Sequence, residues 1–197
     1  MKKIISIAIF PAILASLVLF TACGSKIGDV IDDGDMIDDE DVSVVVDNDF
    51  FRLEAPGEWT EGETPLGVIN IFYSDVESGD SRANLMNFKD SFSIVLDSKT
   101  NLGEDYIAGI KETLLPVLPG ATYSNDECFV QVGEYDACSF EIDILQNEIN
   151  LKLLMVAIEG AGSDVWLITY TTTETDYDVA SAILDDILDN FELKSVE

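Results

Sequence analysis

Few side chains in this 197-residue sequence are placed to do covalent chemistry, and Cys23 is the foremost of them. It lies between Phe20-Thr21-Ala22 and Gly24-Ser25, small residues around a thiol in the manner of a lipobox. At such a site the chain is cut before the cysteine and lipid is joined to its sulfur. The upstream segment agrees: Lys2 and Lys3 form a positive start, and Ile4 to Leu19 is almost purely apolar. The competing reading is an uncleaved membrane helix, because the uncharged run from Ile4 to Ala22 is just long enough to span. Pro11 within the run, the position of Cys23 and the lack of a following basic cluster argue against it. A diacylglyceryl group carries two chains, which is what stable anchoring takes. Cys23 is therefore the expected lipidation site, with the rest of the chain outside the cytosol at the cell membrane or outer membrane.

The other thiols are Cys128 and Cys138. Outside the cytosol such a pair reads first as a disulfide, and facing positions on a hairpin fit the required separation. Two small buried thiols on a core face are the alternative. Histidine is absent, which removes Ser-His-Asp and Cys-His catalysis, His-ligated zinc and the usual proton shuttle near neutral pH. Gly160 and Gly162 follow one strand and lead into another, so they belong to a hairpin turn and not to a phosphate-binding loop, which must open a helix. Paired carboxylates run glycoside hydrolysis, but among 39 acids close pairs arise by chance. No nucleophile and base can be named. The expectation is a non-enzymatic protein with no catalytic residue, cofactor or metal site.

Lys2 and Lys3 leave with the signal, so 39 acids then face 8 bases, a formal charge of −31. That charge opposes nucleic acid, since phosphate binding needs Lys and Arg to release counterions. It also opposes docking on anionic lipid. From Lys26 to Asp41 the sequence reads KIGDVIDDGDMIDDED, with eight acids from Asp29 onward. Mutual repulsion and few apolar residues make this an extended, disordered spacer. Its acids lack the spacing of a calcium loop, leaving only weak, diffuse binding of divalent cations. The expected organisation is a signal peptide over residues 1–22, the lipidated cysteine and acidic tether over 23–41, and one folded domain over 42–197.

The elements that must position any site follow in order. Val42 to Asp47 and Phe50 to Glu54 read as short strands ended by Pro56-Gly57, with Trp59 as a core anchor. Val68 to Tyr73, Ala83 to Phe88 and Phe92 to Leu96 are further strands, the first two separated by a turn over Ser74 to Ser81. Asn101 and Glu104 resemble a helix-capping pair, ahead of a stripe of Leu102, Tyr106, Ile107, Ile110 and Leu114. Cys128 to Val132 and Cys138 to Leu145 form a hairpin around Gly133 that sets Cys128 opposite Cys138, with Cys128, Val130 and Val132 on one face. In the second arm Cys138, Phe140, Ile142 and Ile144 face the core, while Ser139, Glu141 and Asp143 face water or a light cover. Leu151 to Ile158 and Val165 to Thr171 are apolar on both faces and must be covered on both. A closing helix near Asp176 to Phe191, capped by Thr175 or Asp176, buries Ala180, Ile183, Leu184, Ile187, Leu188 and Phe191 and turns acids outward.

This order of parts resembles the PsbP-like (Mog-type) fold found in many small bacterial lipoproteins. The resemblance is carried by F-x-L-x-x-P-G-x-W from Phe51 to Trp59, Ala83-Asn84-Leu85, Asp105-Tyr106-Ile107, the strand–Gly133–strand hairpin, Trp166 to Thr171, and Tyr177 with Ile187-Leu188-x-x-Phe191. It implies an α+β domain, an antiparallel sheet sandwiched by helices as a three-layer α/β/α stack. It also implies a non-enzymatic accessory or binding role, which the anchor and tether together with the resemblance direct to a protein partner in the cell envelope. A module that binds cations or a basic ligand through its acidic surface is the alternative.

Overall fold

The structure is a computed structural model that describes residues 43–56, 59–61, 70–73, 91–97, 101–146, 148–162 and 164–194. The signal peptide, Cys23, the acidic tether, the Ser74 to Ser81 turn and the Ala83 to Phe88 strand lie outside those residues. Ten described strands and two described helices follow in the order β1 (Ser43–Asp47), β2 (Phe51–Pro56), β3 (Thr60–Glu61), β4 (Asn70–Tyr73), β5 (Ser91–Asp97), α1 (Glu104–Leu114), β6 (Thr122–Val132), β7 (Tyr135–Gln146), β8 (Ile149–Glu159), β9 (Val165–Thr173), α2 (Tyr177–Asp189) and β10 (Glu192–Leu193).

The strands form two antiparallel sheets. Seven run in the order β3-β4-β5-β9-β8-β7-β6, and three in the order β1-β2-β10. β8 and β9 are interior strands of the large sheet, as their two apolar faces require. Phe140, Ile142, Leu153, Met155, Ala157 and Leu167 point to one face and pack against Tyr106, Ile107, Ile110 and Leu114 of α1. Leu154, Val156, Ile158, Trp166, Ile168 and Tyr170 point to the other, where Ala180, Leu184 and Ile187 of α2 meet them together with Phe51 and Leu53 of β2. A period of two in the strands and of 3.6 in the helices is enough to explain both cores.

Trp59 is buried, with its ring centroid 5.4 Å from Tyr170 and 6.2 Å from Phe92. The turn between β1 and β2 is held by Asn48, whose Oδ1 accepts from the backbone N–H of Phe50 and Phe51 at 2.8 and 2.9 Å. Gly160 has a packing reason to lack a side chain: a Cβ there would lie 3.0 Å from the Trp166 indole nitrogen.

Three local expectations need correction. Gly103, not Asn101, caps α1, so Glu104 opens the helix and supplies negative charge to its first turn with Asp105. Asp176 does stand at the N-cap of α2, but its carboxylate makes no cap bond; it accepts instead from the Thr173 hydroxyl at 2.7 Å. The resemblance implies one antiparallel sheet, but β1 and β2 lie outside the large one. They form a sheet of their own with β10, a two-residue strand too short to announce itself in the sequence.

Candidate functional site

The β6–β7 hairpin carries the two thiols and the most unusual backbone among the described residues. Val132 pairs with Tyr135, so the turn is the dipeptide Gly133-Glu134, with Gly133 at φ 57°. A two-residue turn with a left-handed glycine first suits the twist of a hairpin. The hairpin is thus centred between residues 133 and 134 and not on Gly133. Continued without a break, that register would set Cys128 opposite Ser139. A bulge restores the pairing: Val130 faces Ala137, Phe129 is left over, and Cys128 faces Cys138. Cys128 and Cys138 form a disulfide, with their α-carbons 4.0 Å apart.

The bulge also corrects the expected shared face. Cys128 packs on the α1 side of the sheet, whereas Val130 and Val132 pack on the α2 side. Between them Phe129 takes φ 65° and projects into solvent. A second irregularity at Asn125, φ 54°, lies nearer the start of β6. There Asp126 pairs with Lys111 of α1, whose ammonium also lies 5.2 Å from the Phe140 ring centre. Nothing in the sequence pattern marks Phe129; its exposure follows from the turn type and the one-residue offset that the disulfide requires.

A polar cluster lies where α2 begins. Glu141 belongs to the face expected to meet water or a light cover, and it is covered, at only 8% exposed. The Tyr177 hydroxyl donates to its Oε1 at 2.6 Å, and the Lys152 ammonium lies 3.7 Å from Oε2. Lys152 also donates to Asp143 at 2.6 Å and stands 4.7 Å from the centre of the Tyr177 ring. The carboxylate that accepts its proton, with burial behind it, pushes the Tyr177 phenol up to about 12. Lys152 is raised chiefly by its hydrogen bond to Asp143 and further by the surrounding carboxylates. Tyr177 and Lys152 both hold Glu141, so the cluster fastens α2 to the sheet.

The second buried acid is Asp97, 1% exposed at the end of β5. Neither of its oxygens, nor the nearby Tyr106 hydroxyl, finds hydrogen-bond geometry with a partner among the described residues. Burial raises its pKa above the usual 3.8, Asp164 adds to the rise, and the Tyr106 hydroxyl offsets part of it. Burial likewise holds Tyr106 well above the ordinary phenol range. A folded-state pKa above the unfolded one means stability that is full below about pH 3.8 and is lost as pH rises through the folded value. Asp97→Asn should remove this component. The melting temperature of the wild type, relative to the variant, is expected to fall as pH rises above about 4; parallel curves would refute the assignment.

Among the described residues no group of three or more Cys, Asp or Glu gathers in a geometry fit to hold a metal ion, and no helix is long and apolar enough to cross a membrane.

No family model matches the chain, and no curated protein does. Solved structures do. The cyanobacterial PsbP protein CyanoP of Synechocystis aligns with 87% of this chain and 98% of its own, at 15% identity and a TM-score of 0.59. The domain has a PsbP-like fold. LpqN of Mycobacterium tuberculosis, a protein involved in cell envelope biogenesis, aligns with 80% of the PsbP-like chain and 88% of its own, at 10% identity and a TM-score of 0.54. A Bacteroides thetaiotaomicron protein aligns with 74% of the chain at 16% identity and a TM-score of 0.48, and the chain spans 45% of that structure's length. At these identities the likeness speaks for the PsbP-like fold alone.

Proposed function

We propose that this chain is a lipid-anchored extracytoplasmic accessory module, a non-enzymatic domain held through Cys23 at the cell membrane or outer membrane, where it binds a protein of the envelope. The observation that carries the reading is Cys23 itself, set after Phe20-Thr21-Ala22 at the end of an apolar segment opened by two lysines. Residues 23–41 then act as a charged spacer of at most about 60 Å, at roughly 3.3 Å per residue. The Cys128–Cys138 disulfide supports an oxidising compartment. The involvement of LpqN in envelope biogenesis supports the setting by analogy of fold. The carboxylates of the Glu141 cluster are taken up by Tyr177 and Lys152, which suits a domain that binds rather than reacts.

Cells of the native organism fed an alkyne-bearing fatty acid provide the test of the anchor. The wild type should carry the label and fractionate with membrane, and Cys23→Ala should lose both properties. An unlabelled wild type, or a Cys23→Ala chain that stays with the membrane, would overturn it. For the binding role, cross-linking in intact cells compares the full chain with one ending at Asp41. A protein joined by the first alone is expected; recovery of the same set from both would end the accessory reading.

A further inference from the structure

We propose that Phe129 and the exposed acidic residues of its hairpin are the docking point of this module, and that the occupant is a protein surface with an apolar pocket flanked by Lys and Arg. The inference rests on the accessory reading above and names its surface.

β6 is the last strand of the large sheet, and among the described strands only β7 pairs with it. Of the large apolar residues exposed on the described surface, Phe129 is the most exposed, at 73%. Its backbone occupies the left-handed region, which bulky side chains avoid and glycine or asparagine enters readily. A bulge and acidic residues are also devices that keep an edge strand from pairing with another chain. The register offset between the turn and the disulfide already accounts for the bulge, but glycine or asparagine would make the same bulge at lower cost and without exposing a ring. A phenylalanine at φ 65° costs the fold stability that glycine would not, and most of its ring is left in solvent, so its use points outward.

Both neighbours hold it in place. Cys128 is fastened to Cys138, and Val130 packs into the core on the α2 side. The ring is therefore presented by a fixed backbone, which lowers the ordering cost of binding, and aromatic anchors of this kind dominate interface energetics. The hairpin that carries it is acidic. Glu127, Glu134 and Asp136 are exposed on the same hairpin, and Asp126 is matched by Lys111. A negative rim selects a basic partner surface and speeds its approach. It also repels anionic lipid, which favours a protein over a membrane as the occupant.

The test places a photoreactive phenylalanine analogue at position 129, and separately at Val45 of β1 and Val179 of α2, in the full lipidated chain in intact cells. One envelope protein should cross-link from position 129 and from neither control. Purified in detergent, the full chain should bind that protein more weakly as salt rises. Phe129→Asn should reduce its affinity at least about 10-fold. Glu127→Lys should weaken it too. Because asparagine accepts the left-handed backbone, Phe129→Asn should melt no lower than the wild type, and by relief of strain about 2–4 °C higher. Cross-linking from Val45 or Val179 alone would overturn this surface while leaving the accessory role standing. Lipid adducts from position 129 would replace the protein occupant with the membrane. Absence of any adduct at all three positions would remove the surface and the accessory role together. A Phe129→Asn chain that melts lower yet binds unchanged would make the ring a structural element and end the proposal.

Discussion

Phe51→Ala is expected to destabilise the folded domain by about 3–5 kcal/mol, the range for truncating a fully buried aromatic. Phe51 has no exposed surface, and its ring stands edge-on to Trp166 at 5.6 Å and 5.9 Å from Phe191. It is the point where the small sheet, the end of α2 and the centre of the large sheet meet. Besides its own area, its loss would weaken the seat of β2, to which β1 and β10 are paired. The other ties around β10 include the Leu193 N–H, which donates to the Tyr135 hydroxyl at 3.0 Å, the Lys194 N–H, which donates to the Phe50 carbonyl at 2.8 Å, and the surface pair of Lys194 with Asp47. The neighbouring Phe50→Ala is the control, since Phe50 is part-exposed and only flanks Trp166 at 6.1 Å. It should cost about 1 kcal/mol or less. Chemical unfolding of both variants checks the contrast; equal losses would show that Phe51 is not the fastening point.

Replacing both Cys128 and Cys138 by alanine is expected to cost about 2–3 kcal/mol, the value for releasing a loop of this length in the unfolded chain. The two cysteines are ten residues apart in sequence, so the bond constrains a short segment. Its local effect is specific. The Gly133-Glu134 turn favours a register with Cys128 opposite Ser139, and the bulge at Phe129 shifts it by one. Without the bond the two registers compete, and amide exchange in β6 upstream of Val130 should accelerate more than in β8 or β9. Unfolding of the oxidised protein, the reduced protein and the double variant separates the contributions. Reductant should lower the midpoint of the wild type toward that of the variant and leave the variant unmoved. A reductant-insensitive wild type with titratable thiols would show that the pair is not bonded.

Much of this architecture is legible in residue order because it depends on short-range periodicity. The alternation from Cys138 to Ile144 marks the face that meets α1, and the doubly apolar runs in β8 and β9 mark interior strands. The stripe from Ala180 to Phe191 likewise identifies the buried side of α2. Such signals are local, and burial of apolar area enforces them. The cap of α1 is not legible in the sequence, because Asn101 offers an acceptable side chain while the backbone of Gly103 takes the position.

What the sequence determines by itself is the period of each element, the excess of negative charge, the absence of histidine, and the presence of two cysteines on the arms of one hairpin. Only the tertiary structure decides the rest. Glu141 is buried because Tyr177, 36 residues later, reaches back to it. β10 exists because β2, far upstream, offers it an edge. Phe129 faces solvent because a turn and a disulfide demand registers that differ by one residue, and the chain absorbs the difference at that position. Each of these depends on groups brought together from distant positions, where hydrogen bonding and burial in three dimensions outweigh the preference of any local pattern.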